Sequence, residues 1–380
     1  MTQKTTPDRP IRVVDFTLVM AGPFCTRLLA DLGAEVIKVE PPSGDTMRAR
    51  PPMRDGQSRY FGHLNCGKRS LAADLKTPED LALVRDLIAT TDVVVENYRP
   101  GVMDRFGLGY EQMSALNPRL IYCSISGFGQ TGEAARRPAY APMIHAASGY
   151  DLALKAFSPD TDRPAPTGMF TADVLAGVYA FGAIQTALYQ REKTGKGQQV
   201  DVALMDSLMS MMVYECQEAQ APQARKRHLY GPLKTSDGFV VAAPLSQKNF
   251  DALVSLLGLP DWARDDRFAT APGREANWAE IMRHVETWTV TQSAEACEVA
   301  MLAAGVPCAR YRTMAEAMAD PALSERGTLA TIEDAGGAYQ VFNPPFRMSG
   351  CAAHARSFVP PLDEARAELV QELASKTHHP

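Results

Sequence analysis

The first forty residues alternate short apolar runs with one helical stretch, and that alternation restricts the folds open to this chain. Ile11–Phe16 reads as a strand and Thr17–Gly22 as a loop. Pro23 suits the first turn of a helix through Leu32, Gly33 ends it, and Ala34–Glu40 reads as a second strand. The unit recurs. A helix at Pro78–Thr90 leads to a strand at Asp92–Glu96, and a helix at Tyr110–Leu116 leads to a strand at Leu120–Ser126. A long helix from Thr171 to Glu192 then leads, through a Gly195/Gly197 turn, to a strand at Gln199–Ala203. Strands alternating with helices predict an α/β fold: a parallel sheet with helices on its faces, Rossmann-like in plan.

The texture changes after residue 215. A Met-rich helix begins near Leu204, and Met205, Met209, Met211 and Met212 read as core filler. Polar and basic residues follow, so the expected layout is a large domain over 1–215 and a linker over 216–228. A smaller α+β domain is expected over 229–325, and a segment returning to the large domain over 326–380. Asp237-Gly238 predicts a hairpin, with helices after it at Gln247–Leu257, Asn277–Trp288 and Ala294–Ala304. Gly336-Gly337 marks a second hairpin, and Leu362–Lys376 a terminal helix.

Composition excludes several classes of function. The formal net charge of −5 gives no electrostatic footprint for nucleic acid. Seven scattered cysteines without a C-x-x-C pair predict reduced thiols and no zinc site, and no H-E-x-x-H spacing occurs. Met1–Pro10 is polar, and no apolar run reaches the roughly 18 residues of a membrane span. The expectation is a cytoplasmic protein with no membrane or metal partner. The first strand-to-helix turn, T-L-V-M-A-G-P, is not a dinucleotide fingerprint, and K-T-G-K-G-Q at Lys193–Gln198 has the wrong spacing for a phosphate loop.

Two groups of residues carry candidate chemistry. Asp173 stands at the head of the apolar stretch Val174–Tyr189, where burial disfavours an ionised carboxylate. It reads either as a first-turn helix Asp or as a covalent nucleophile. Lys38, Lys68, Arg69, Lys76, Arg99 and Arg105 fall at strand and helix ends. They read either as ordinary surface charges or as partners of a phosphorylated ligand beyond the strand ends.

Five ordered blocks resolve these alternatives. The first is V-V-D-F-T-L-V-M-A-G-P-F-C-T-R-L-L-A-D-L-G-A-E-V-I-K-V-E-P-P, at Val13–Pro42. L-N-C-G-K-R-S (Leu64–Ser70), V-E-N-Y-R-P-G (Val95–Gly101) and N-P-R-L-I-Y-C-S-I-S-G-F-G (Asn117–Gly129) follow. The last is D-V-L-A-G (Asp173–Gly177) with R-E-K-T-G-K-G-Q (Arg191–Gln198). In this order the blocks resemble the class III CoA-transferase family, which has the α-methylacyl-CoA racemases as relatives. The resemblance covers most of residues 11–215, and D-G-F-V and G-V-P-C-A extend it loosely beyond.

The resemblance implies that Asp173 is the nucleophile, forming an aspartyl anhydride and then an aspartyl-CoA thioester. It implies coenzyme A, as acyl-CoA, and a small carboxylic acid as substrates, with no metal. Contacts to CoA are implied for Val19, Met20, Ala21, Lys76, Asn97, Tyr98, Arg99, Arg105 and Tyr140, and Lys38, Lys68 and Arg69 lie in matching blocks. An interlocked homodimer is implied as well. Pro41-Pro42, Met20 and the single glycine near Tyr230–Pro232 depart from the formyl-CoA transferase pattern and point away from formate or oxalate. Lys226, Arg227 and His228 are candidates for a second carboxylate or for a solvated linker. Racemases pair the Asp with an upstream His-Asp, and this chain has Tyr140 and Ala141 there, with His145 the only nearby His. Transferase is therefore expected ahead of a racemase or a non-catalytic acyl-CoA binder.

Overall fold

Alternating valines and isoleucines build a sheet buried on both faces. The computed structural model describes residues 9–157, 162–165, 168–222 and 230–377. Six strands, β1 (Arg12–Asp15), β2 (Glu35–Glu40), β3 (Arg69–Ala72), β4 (Val93–Glu96), β5 (Ile121–Ser126) and β6 (Gln198–Ala203), form one sheet in the order 3-2-1-4-5-6. Every neighbouring pair is parallel. Successive side chains point to opposite faces. Val93, Val95, Ile121 and Cys123 therefore join helix α1 (Ala21–Asp31) and helix α2 (Thr171–Thr194) in one core. Val14, Val94 and Tyr122 join Val84 and Leu87 of the Pro78–Ala89 helix in the other, where Ala365 and Leu369 close the layer. A parallel sheet needs both faces covered, and here both are along β1–β5, while Gln199 and Asp201 of the edge strand β6 stay exposed.

The strand order reverses between β1 and β4. Their onward chains leave in opposite directions, which opens a crevice at their carboxyl ends, where ligands bind in sheets of this type. Unit one comprises residues 1–219 and 322–380, and unit two residues 220–321. Unit two has a three-stranded antiparallel sheet of β7 (Leu233–Lys234), β8 (Phe239–Ala242) and β9 (Cys308–Arg310), with β8 central. Helices Gln247–Leu256, Trp278–Thr289 and Ala294–Ala304 pack on it around Phe250, Phe268 and Ile281.

Several expectations change. β3 was not expected, because R-S-L-A is short, opens on a charge and directly follows Lys68 and a Gly67 turn. The expected linker begins inside a helix, Val213–Gln220. Lys226, Arg227 and His228 lie outside the described residues. Met209 and Met211 are exposed, so they are not core filler; Met205 packs against the core. α2, at 24 residues, is long and apolar enough to cross a membrane by length and composition. Its row Ala172, Ala176, Ala180, Ile184 and Ala187 is instead buried against α1 and the sheet.

Candidate active site

The crevice between β1 and β4 is floored by the start of α2. Asp173 sits in the first turn of that helix, where the backbone dipole favours an anion. Burial pushes its carboxyl up to about 6, against the opposing pull of the Ala21 N–H and its own N–H. Ala21 opens α1, so two helix amino termini converge on one carboxylate. Gly177 makes this approach possible. A Cβ there would lie 2.6 Å from the Ala21 carbonyl oxygen. The D-x-x-x-G spacing thus has a packing cause: Asp173 accepts a bond from Ala21, and Gly177, one turn on, gives Ala21 room.

The loop joining β1 to α1 is held from three sides. Asn97 closes a two-way clamp on Leu18: its Oδ1 accepts the Leu18 N–H at 2.9 Å and its Nδ2 donates to the Leu18 carbonyl at 2.8 Å. Val19 is held at φ +69°, a conformation that a β-branched residue rarely adopts. Beneath the loop lies a network with no solvent access. Asp15 accepts the Thr17 N–H at 2.9 Å and the Thr26 hydroxyl at 2.7 Å, and it pairs with Lys68 at 3.0 Å. Lys68 also donates to the Pro23 carbonyl, Thr26 and Asn65. Lys38 donates to the Thr17 carbonyl at 2.6 Å and pairs with Asp45 at 3.0 Å. Burial acts to raise the Asp15 carboxyl, but Lys68 and Lys38 outweigh it and the net shift is downward. Burial pulls the Lys68 ammonium down to about 8 against the pull of Asp15. Both members of the pair are therefore ionised at neutral pH.

Two cavities meet at Val19, Tyr140 and Asp173. One, of about 260 Å³, runs along Asn97–Pro100 and carries the exposed Arg99 and Arg137. The other, of about 520 Å³, is lined by Met20, Met47, Tyr60, Phe170 and Arg50. Both belong wholly to unit one. The structure thus brings Val19, Met20, Ala21, Asn97, Tyr98, Arg99, Tyr140 and Asp173 together at one crevice.

It does not bring the others there. Lys38 and Lys68 are fully buried and each is paired with a buried carboxylate, so they hold the loop and offer no charge to a ligand. Arg69 is the first residue of β3, at the amino end, where it pairs with Glu35 and Glu368. Lys76 and Arg105 are exposed on the carboxyl side of the sheet but line neither cavity. Asn97 lines the crevice, yet both ends of its amide are used by Leu18.

Four site residues escaped the sequence reading: Arg50, Tyr60, Arg137 and Phe170. Tyr60 stands close enough to Asp173 that the carboxylate, after burial, helps to raise its phenol. The tract A-R-R-P-A-Y ahead of Tyr140 was the one available sign of Arg137. His145 is fully buried, and its Nε2 accepts the Ala172 N–H at 3.2 Å. It caps the start of α2 as a neutral ring, with its pKa lowered by burial.

Comparison with known proteins bears on this geometry. The model of CoA-transferase family III matches residues 9–366. The succinate–glutarate CoA-transferase of Agrobacterium fabrum is 34% identical over 98% of this chain and 97% of its own length. The acetyl-CoA:oxalate CoA-transferase of Acetobacter aceti is 37% identical over 98% of each. A solved CAIB/BAIF family protein from Brucella suis superposes with a TM-score of 0.83 at 36% identity, over 97% of this chain and 99% of that one. With the match running from the first described strand to the terminal helix, the chain belongs to CoA-transferase family III, and it is a transferase.

Proposed function

We propose that this enzyme moves coenzyme A reversibly between an acyl-CoA and a free carboxylic acid through covalent intermediates on Asp173. The carrying observation is a carboxylate at the bottom of a crevice, held by backbone N–H groups and, among the described residues, by no cation. The Asp173 carboxylate attacks the thioester carbonyl, the C–S bond breaks, and a mixed anhydride and free CoA thiolate result. The thiolate attacks the aspartyl carbonyl, giving an aspartyl-CoA thioester and releasing the first acid. The acceptor carboxylate attacks that thioester and expels thiolate. The thiolate then attacks the acyl carbonyl of the new anhydride, which releases the new acyl-CoA and restores Asp173. No step calls for a metal. A pKa of about 6 keeps the nucleophile ionised at neutral pH and more basic than an exposed aspartate.

The two cavities suit the two substrates. Arg99 and Arg137 give the smaller one the charge that the CoA phosphates require, with Val19–Ala21, Asn97–Tyr98 and Tyr140 along the pantetheine arm. Lys76 and Arg105, at the rim side, remain candidates for the distant 3′-phosphate. The larger, mostly apolar cavity suits the acid. The relatives named for succinate, glutarate and mesaconate make a small dicarboxylic acid the favoured class. A racemase has less support, since no second acid/base stands at Tyr140–Ala141 and His145 is spent on the helix cap.

A homodimer, interlocked as in the family, belongs to the same proposal. Support comes from exposed Val178, Tyr179 and Tyr189 on the outer side of α2, with Met209 and Val213 beyond. Seven free cysteines suit a reducing compartment such as the cytoplasm. The test is a panel of acyl-CoA donors and acid acceptors read by mass spectrometry, run beside Asp173→Ala. Transfer is expected with wild type, and a loss of about 10⁴-fold or more in kcat with the variant, whose CoA affinity is retained. A variant that transfers at the normal rate overturns the proposal.

A further inference from the structure

Arg48 and Arg50 stand two residues apart after β2, and the fold uses them differently. Arg48 is committed. Its guanidinium donates to both oxygens of Glu40 at 2.6 and 2.7 Å and to the Pro360 carbonyl at 3.1 Å, and it lies 3.9 Å from the centre of the Phe61 ring. Arg50 has an equally fixed backbone. Its N–H donates to the Met47 carbonyl at 3.1 Å, closing the turn Thr46–Ala49, and its carbonyl accepts the Ser58 hydroxyl at 2.6 Å. That turn is in turn anchored by Asp45, which accepts the Met47 N–H at 2.9 Å and pairs with the buried Lys38. The Arg50 guanidinium, by contrast, is exposed and has no ion pair or hydrogen bond among the described residues.

This guanidinium lines the cavity of about 520 Å³ that also holds Asp173. It is the only Lys, Arg or His among the described lining residues, and the wall is otherwise mainly apolar, with Met20, Met47, Tyr60 and Phe170. Burial and two backbone N–H groups set the Asp173 carboxyl, and Arg50 is not among the groups acting on it. The two charges therefore face one cavity without forming a pair. A rigidly based, unpartnered guanidinium on an apolar wall is a receptor for a planar anion, since its fork of donors matches a carboxylate.

Resting on the aspartyl mechanism above, we infer that Arg50 is the specificity residue of the acid cavity. It binds the far carboxylate of a small dicarboxylic acid while the near carboxylate, or its acyl form, reacts at Asp173. A monocarboxylate of equal length leaves Arg50 unmatched and is discriminated against.

The test compares wild type, Arg50→Met and Arg50→Lys with glutarate against valerate and succinate against butyrate, one acyl-CoA donor being held constant. Wild type is expected to favour the dicarboxylate of each pair. In Arg50→Met that preference in kcat/KM should fall about 30-fold, the size of one charge-assisted bond, through the KM for the dicarboxylate. Arg50→Lys should recover part of it. No preference in wild type, or an unchanged preference in Arg50→Met, overturns the inference. So does a loss that appears in the KM for an acyl-CoA donor whose acyl group carries no second carboxylate, which would give Arg50 to a CoA phosphate. In the same samples, donor alone followed by hydroxylamine reports modification of Asp173. Its absence strikes the covalent reading, whereas its presence with a flat preference strikes only the role of Arg50.

Discussion

The cations under the β1–α1 loop and those along the crevice come from the same kind of sequence position, yet they do opposite work. Lys38 and Lys68 have no exposed surface, and each is paired with a buried carboxylate, Asp45 or Asp15, and donates to acceptors beside it. Arg50, Arg99 and Arg137 are exposed at cavity walls. A buried ion pair fixes geometry, because breaking it strands a charge. An exposed guanidinium at a cavity wall is free to bind. In this enzyme, one set of charges builds the loop that holds Ala21 against Asp173, and the other stands open at the cavity walls, where we propose that it meets the substrates.

The largest effect on stability is expected from removing one member of the buried pair. Lys68→Met leaves Asp15 without its partner, and the expected destabilisation is about 3–5 kcal/mol in urea unfolding. Adding Asp15→Asn to the same chain should recover much of that loss, because the stranded charge is gone. A surface role for Lys68 predicts less than about 0.5 kcal/mol for either change.

Next in size is the linkage at Asp173. Its carboxyl titrates near 6 when folded and near 3.8 as an ordinary side chain, so the folded state holds the proton more tightly. Ionisation therefore works against folding, increasingly as pH rises from about 4 to about 6, and fully above that range. Asp173→Asn is expected to be more stable than wild type by up to about 3 kcal/mol at pH 7, with the gain fading toward pH 4. Unfolding curves across this range check the sign. The same ionisation should make kcat/KM fall with acid below about pH 6.

The smallest expected effects belong to the open cations. Arg99→Ala and Arg137→Ala should each raise the KM for acyl-CoA about tenfold, with kcat changed less than twofold and with stability unaltered. Steady-state kinetics at two salt concentrations would sharpen the contrast, since exposed charges are screened and buried pairs are not.

Much of the fold was legible because periodicity reports burial of whole faces. The β1–α1–β2 unit, the Pro78 and Tyr110 helices and the long helix all fall within a few residues of their expected limits. Asp173 stood out because a carboxylate at the head of an apolar helix breaks that pattern, but its reading as a nucleophile came from the family resemblance and not from the pattern. What failed was the distinction between a charge at a strand end and a charge beneath it. Lys38 alternates within β2 like any solvent-facing residue, but its ammonium is buried against Thr17 and Asp45. Arg69 was misplaced because R-S-L-A gave too weak a strand signal to show which end of the sheet it marks. Arg50 and Tyr60 lie on the excursion between β2 and β3, where no periodicity says which side chains turn toward α2.

In the proposed mechanism an oxygen of Asp173 becomes bonded to the acyl group, and its carbonyl then carries the sulfur of CoA. The most direct measurement is peptide mass spectrometry after mixing the enzyme with an active acyl-CoA and quenching with hydroxylamine. A hydroxamate is expected at Asp173, dependent on the donor and absent from Asp173→Asn. Full transfer activity with no modification at Asp173, or with the adduct on another side chain, would contradict it.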